Sequence, residues 1–237
     1  MKFIVFGEDL RAALTAVKAH TSTDKYDLIG RSLVLNVNNA GHLLVTASDG
    51  WTSGMARVQL IQDEWSGEIG ALTIDRNHAA QIVGMFTSKT AELEVTVTSA
   101  ETRPEREGDK PGIVNTVTIR QLGQLFGGDQ LRFSTPFQKR DVEGLWHEVG
   151  SALRRRPAAI PITLVPPKRL AAYRAASTAY EVSLQISVAG NDGSLLVQCG
   201  SDFIGFCHAG VPYSEENVAN DRAAWANELP LKLEAAS

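Results

Sequence analysis

Cysteine is nearly missing from this chain: among 237 residues only Cys199 and Cys207 occur. A disulfide framework is therefore excluded, and a reducing, cytosolic setting is expected. No apolar run approaches the roughly 20 residues that span a bilayer, so no membrane partner is expected. The opening MKFIVFGEDL meets Glu8 and Asp9 before an apolar signal core can form, and no secretion signal is read there. No Gly-Lys-Ser/Thr phosphate loop and no dinucleotide fingerprint is found. The five histidines, His20, His42, His78, His147 and His208, stand at no metal-ligand spacing. Cys199, Cys207 and His208 fall on neighbouring predicted strands and could approach one another, but a zinc site would lack its fourth ligand. The sequence thus implies no catalytic residue, no metal and no cofactor.

Positive charge is also in short supply. Lys and Arg number 23 against 27 Asp and Glu, giving a net charge of −4 and a pI near 5.8. That excludes a protein whose whole surface coats nucleic acid, but not one with a single basic face. Hydrophobic residues at 43% and charged residues at 21% are ordinary for a globular chain, and the length suffices for one or two domains.

What the chain has instead is a repeated pattern. SLVLNVNNAGHLLVTASDGWTSGMARV from Ser32 and VSLQISVAGNDGSLLVQCGSDFIGFCHAGV from Val182 share one plan. Each reads as a strand of alternating apolar residues, a Gly-containing turn, a strand opening Leu-Leu-Val, a Ser-Asp turn and a third strand. Asp49 and Asp202 hold equivalent turn positions, which argues for turn chemistry rather than paired catalytic carboxylates.

Each copy follows a strand and a short helix. In the first, Lys2 to Phe6 reads as a strand, and Leu10, Ala13, Leu14 and Val17 fall at i, i+3, i+4 and i+7 of an amphipathic helix. In the last, Ile160 to Val165 reads as the strand, Pro166-Pro167 as a helix entry and Lys168 to Ser177 as the helix. A divergent copy lies between them. Ala71 to Ile74 leads into a helix capped by Asp75, followed by ELEVTVTS, NTVTIRQ and QLRFSTP as strands, with residues 100–112 as an exposed loop. The array predicts an α+β fold of three β-α-β-β-β units, with helices on one face of antiparallel sheets. Residues 1–135 would form a domain of two units. Residues 136–237 would hold a connecting helix (Asp141 to Arg156, docked through Trp146), the third unit and a polar tail.

These residues resemble a known family. Met1-Lys2-Phe3, Leu10 to Leu14 and Leu44 to Asp49 are similar to the opening of the bacterial DNA polymerase III beta subunit, the sliding clamp. LTIDRNHAAQIV and ITLVPPKRLAAY resemble the start of a clamp half-domain. The resemblance covers roughly residues 1–211 and is carried by the order of the motifs. It implies a non-catalytic processivity factor in DNA replication, a ring-forming homo-oligomer whose helices face duplex DNA without reading sequence. It also implies a DNA polymerase or another replication or recombination protein as partner. The alternative expectation, raised by the odd number of units, is a clamp-fold accessory protein, phage-encoded, that modulates such a protein without closing a ring.

Under this resemblance the DNA-facing cations are Arg11, Lys18, Arg76, Arg154, Arg155, Arg156, Lys168, Arg169 and Arg174, all on predicted helices or at their ends. Gln121 to Phe126 resembles the Gln-Leu-x-Leu-Phe peptide by which proteins dock into clamps, with Gln121, Leu125 and Phe126 as its contacts. The plainer reading of that stretch is a strand end and turn that contribute core residues.

Overall fold

The computed structural model describes residues 1–24, 26–27, 30–38, 41–62, 71–102, 112–123, 128–137, 139–153, 165–189 and 193–208. The first unit comprises β1 (Lys2–Phe6), α1 (Gly7–Lys18), β2 (Ser32–Val37), β3 (His42–Ser48) and β4 (Thr52–Gln62). The apolar spacing read in α1 is its buried face: Leu10, Ala13, Leu14 and Val17 are all at 1% exposure or less. Glu8 and Asp9 in its first turn and Lys18 in its last complement the helix dipole. The β3–β4 turn is closed by Asp49, whose Oδ1 accepts from the Trp51 and Thr52 amides at 2.9 and 2.7 Å. Gly50 supplies the left-handed φ of +80° that the turn requires.

The second unit has the same order: β5 (Ala71–Asp75), α2 (Arg76–Met85), β6 (Glu92–Glu101), β7 (Ile113–Gln121) and β8 (Gln130–Phe137). Asp75 caps α2 as its position predicts, accepting from the Asn77 amide at 2.7 Å. The first two units exchange their leading strands. β5 lies on β2 and β1 lies on β6, all antiparallel, which gives the order β5-β2-β3-β4-β1-β6-β7-β8. Thr73 Oγ1 donates to the Pro136 carbonyl at 2.6 Å and brings the two outer strands, β5 and β8, together.

After α3 (Lys139–Leu153), the third unit supplies α4 (Pro167–Tyr180), β9 (Leu184–Ala189), β10 (Ser194–Cys199) and β11 (Phe203–Cys207). Of its expected leading strand only Val165 lies within the described residues. β11 joins the outer edge of β4 from Phe203↔Ala56 to Cys207↔Thr52, beside the stretch of that edge that takes β1. One continuous core runs through all three units, from Phe3 and Leu14 to Tyr173, Val197 and Phe203.

Two expectations need correction. Trp146 does not dock α3: it is 39% exposed, and the buried side chains are Val142 and Val149, seven residues apart on the inward face. Cys199 and Cys207 do not approach each other, because the β10–β11 register sets Cys199 opposite Phe203 and Cys207 opposite Leu195. Both are buried free thiols, and burial raises their pKa values, that of Cys207 to about 11.

Candidate nucleic-acid interface

Three helices form one layer over the core. α1 lies in the middle and packs against α2 on one side and α4 on the other. Arg11 and Arg76 fix the first contact and its direction. Arg11 Nε and Nη1 donate to the Val83 and Thr87 carbonyls at the carboxyl end of α2, both at 3.2 Å. From the start of α2, Arg76 Nη1 donates to the Thr21 carbonyl just beyond α1. The helices are therefore antiparallel, and each is met at its negative end by a guanidinium. Residues Glu8 and Asp9 of α1 share a cavity with Ala179, Tyr180 and Glu181 at the end of α4, so these two helices are antiparallel as well.

Seating the third unit requires close backbone approach at one point. Gly54 and Gly205 oppose each other across β4 and β11. A Cβ on Gly54 would fall 2.5 Å from His20 Cδ2, and one on Gly205 would fall 2.5 Å from Tyr173 Cε1. The two missing side chains make room for rings from α4 and from the residue just past α1. Between the units, the His20 ring lies 4.6 Å from that of Tyr173 and 5.8 Å from that of Phe203. The Tyr173 hydroxyl donates to the Phe206 carbonyl, and burial raises its pKa. His20 Nδ1 lies 3.1 Å from Thr52 Oγ1, while its Nε2 has no partner among the described residues.

The basic end of this layer is the start of α4. Lys168 and Arg169 occupy its first turn, where the helix dipole disfavours cations and favours anions. Arg169 is positioned twice: Nη1 donates to the His208 carbonyl at 2.9 Å, and its guanidinium lies 4.2 Å over the Trp51 ring. Trp51 is itself 58% exposed. Its place in a tight turn beside Asp49-Gly50 was the only sequence signal for it, and the sequence reading did not single it out. Lys168 and Arg174 are exposed and Lys18 is half-buried.

None of Arg11, Lys18, Arg76, Lys168, Arg169 and Arg174 has a carboxylate partner among the described residues. The ion pairs found there engage Lys2, Arg31, Arg57, Lys89 and Arg120, which lie on strands and in loops. Arg154, Arg155 and Arg156 lie outside the described residues, as do Leu125 and Phe126. Gln121 ends β7, with its amide donating to the Asp129 carbonyl at 3.0 Å.

At the opposite end of α1 and α4 is a polar cavity of about 520 Å³, lined among others by Glu8, Asp9, Arg57, Lys89, Glu181 and Asp202. Arg57 pairs with Asp202 and Lys89 with Glu8. Partial burial, then Glu8 and Asp202, raises the Asp9 pKa. Its charged lining does not suit the burial of a Leu-Phe peptide. Asp202 therefore does more than shape a turn: its carboxylate and its carbonyl both hold Arg57.

A chain of β-α-β-β-β units that exchange leading strands and gather their helices in one layer has the architecture of a DNA sliding clamp. The solved structures it is similar to are such clamps. They include the DNA polymerase III beta subunit of Thermotoga maritima (TM-score 0.51, 8% identity, 92% of this chain and 66% of that one). The sliding clamps of Bacillus subtilis (0.51, 11%, 90% and 65%) and Pseudomonas aeruginosa (0.52, 10%, 90% and 66%) match equally well. This chain thus has the sliding-clamp fold and spans about two thirds of the length of these proteins. No protein-family model matches the chain, and no curated protein matches it by sequence.

Proposed function

We propose that this protein is a non-catalytic, clamp-like factor of DNA replication that contacts duplex DNA through its helix layer without reading sequence. The observation that carries the reading is the contrast in charge pairing. Of the six described cations on strands and in loops, all but Arg132 on β8 are paired with carboxylates, whereas Arg11, Lys18, Arg76, Lys168, Arg169 and Arg174 on the helices have no carboxylate partner among the described residues. Arg11 and Arg76 spend their hydrogen bonds on helix ends and act on DNA by field alone. Lys18, Lys168, Arg169 and Arg174 are the contact residues. Arg154, Arg155 and Arg156, outside the described residues, belong to the reading as further candidate DNA contacts. Unpaired cations facing phosphates attract duplex DNA in any register, as a protein that moves along DNA requires. A homo-oligomer, a cytoplasmic location and a polymerase or recombination protein as partner belong to the same reading. No described helix is long and apolar enough to cross a membrane.

Fluorescence anisotropy with two unrelated duplexes over a salt series tests it. Equal affinities and a linear fall of log K with log salt are expected. Lys18→Gln with Lys168→Gln should reduce the slope by about 2. An unchanged slope, or no binding at low salt, refutes the DNA reading. Retention on nicked circular but not on linear DNA distinguishes a closed ring from a protein lying alongside the duplex. The second reading, raised by the odd number of units in the sequence, is an accessory protein that modulates a replication or recombination protein without encircling DNA. Equal loss from both DNA forms supports it.

A further inference from the structure

The polar cavity where α1 starts and α4 ends is the one place along the seam of the first and third units where the described residues leave room instead of packing rings. Its wall is drawn from all three units, and the charges in it do not balance. Arg57 is paired with Asp202 at 3.2 Å and Lys89 with Glu8 at 3.6 Å. Asp9 and Glu181 are left with no cation among the described residues, and the His42 imidazole, the third basic group of the wall, pairs with neither. One helix begins at the wall and the other ends there, so their dipoles offset each other and the side chains decide the sign. The uncompensated charge is negative.

A second, independent feature lies in the same wall. Tyr180 Oη is buried and has no hydrogen-bond partner among the described residues. Burial first, then the charges of Asp202, Cys199 and Asp9, raises its pKa, which places the hydroxyl beside the cavity's own carboxylates. A hydroxyl buried without a partner is costly, and the cavity is where a donor to it can sit.

Size and lining narrow the ligand. No three His, Cys, Asp or Glu among the described residues converge as metal ligands. The volume of about 520 Å³ is that of a small-molecule site, and Ala12, Val58 and Ala179 supply an apolar surface among the charged groups.

We propose that this cavity binds a small organic polycation, a linear di- or triamine whose ammonium groups meet Asp9, Glu181 and the Tyr180 hydroxyl and whose methylene chain lies along Ala12, Val58 and Ala179. An ammonium has three donors and no acceptor, which matches two free carboxylates and an unmet hydroxyl oxygen. Because the wall spans the seam, the ligand ties the end of α4 to α1 and acts as an effector that tightens the third unit on the first. The inference rests on the cavity and not on the DNA reading.

Isothermal titration calorimetry of the full chain without DNA, with spermidine, putrescine and magnesium chloride at matched ionic strength, is the test. Saturable binding of spermidine, weaker binding of putrescine and no comparable heat from magnesium are expected. Hydrogen exchange of β11 amides should slow with spermidine bound. Glu181→Gly removes a carboxylate and relieves a left-handed φ of +54°. It should melt no lower than wild type, yet bind spermidine about tenfold or more weakly. Asp9→Asn should weaken binding to a similar degree, whereas Glu101→Gln, an exposed acid outside the cavity, should leave it unchanged. Tyr180→Phe gives up no hydrogen bond seen in the fold, so it should keep its stability and bind about three- to tenfold more weakly. The absence of saturable binding, an equal response to magnesium, or full affinity in Glu181→Gly or Asp9→Asn overturns the proposal. So does a destabilised Tyr180→Phe, because the hydroxyl would then already have its partner. DNA binding by anisotropy is read separately in amine-free buffer, so either conclusion can fail alone.

Discussion

Acid should loosen the third unit through His20, and the structure sets the size and sign of the effect. The imidazole is fully buried between the first and third units, and desolvation is the main cause that pushes its pKa down to about 4, with Asp49 opposing. In the unfolded chain the same group titrates near 6.5. Between these values the unfolded chain binds a proton that the folded chain refuses, so stability falls as pH drops through the window. Above about 6.5 this group has no effect, and below about 4 its contribution is fully lost. A separation of this size corresponds to about 3 kcal/mol, a sizeable part of the stability of an ordinary domain.

Other groups titrate in the same range, so the informative quantity is the difference between wild type and a variant. His20→Leu keeps an apolar body in the joint and removes the titration. Thr52 Oγ1 retains Asp49 Oδ1 as an acceptor at 3.3 Å, so no buried hydroxyl is orphaned. Urea unfolding at half-unit steps from pH 7.5 to 4 should show the wild-type curve falling toward the variant's by about 3 kcal/mol in total. Exchange of β11 amides should rise in acid before that of β6 and β7, because the ring cluster joins β11 and α4 to the first unit. Parallel stability curves across the window would refute the reasoning, since His20 would then titrate alike in both states.

Three further outcomes follow from the same joint and from the basic end of the helix layer. Gly205→Ala places a methyl group 2.5 Å from the Tyr173 ring and 2.7 Å from the Ser53 carbonyl oxygen; it should destabilise by about 1–3 kcal/mol in urea unfolding. Tyr173→Phe removes the hydrogen bond to the Phe206 carbonyl and should cost about 1–2 kcal/mol, with the loss confined in hydrogen exchange to the third unit. Trp51→Ala frees the Arg169 guanidinium and should quench most of any Trp fluorescence change on DNA addition; an unchanged signal would place Trp51 away from the duplex.

Much of the fold is written in short-range patterns, and those parts were legible. The i, i+3, i+4, i+7 series of α1, the Asp75 cap and the turn-forming Asp49 each depend on neighbours within a few residues. Strand exchange is different. That β1 lies on β6 and β5 on β2 is decided by which edges remain unpaired after each meander forms, and no local spacing records it. The Trp146 expectation failed for a related reason. Helical spacing defines a stripe, but Trp146 stands beside the Val142–Val149 line and large size alone did not bring it inward. Gly54 and Gly205 were visible as a glycine repeated in the third strand of both copies. Their purpose was not, because the rings they admit come from His20 and Tyr173, far away in sequence.

The three units show how one sequence plan is fitted to different neighbours. In the first unit the inward ring positions on α1 hold Ala13 and Ala16, and the helix sits close to its sheet and to α2. In the third, Tyr173 takes the deep position on α4 beside Ala176, and its bulk fits only because Gly205 lies beneath it and Gly54 leaves room for His20. A larger side chain at any of these four places must displace another. The seam between β4 and β11 is thus a packed joint with a single solution, unlike the outer edge of β9, where the exposed Ile186 restrains nothing. Among the described residues the third unit is held firmly on one side and left open on the other. It follows that loosening the joint at His20 should detach the third unit as a piece, whereas the first two, which exchange their leading strands, should stay joined.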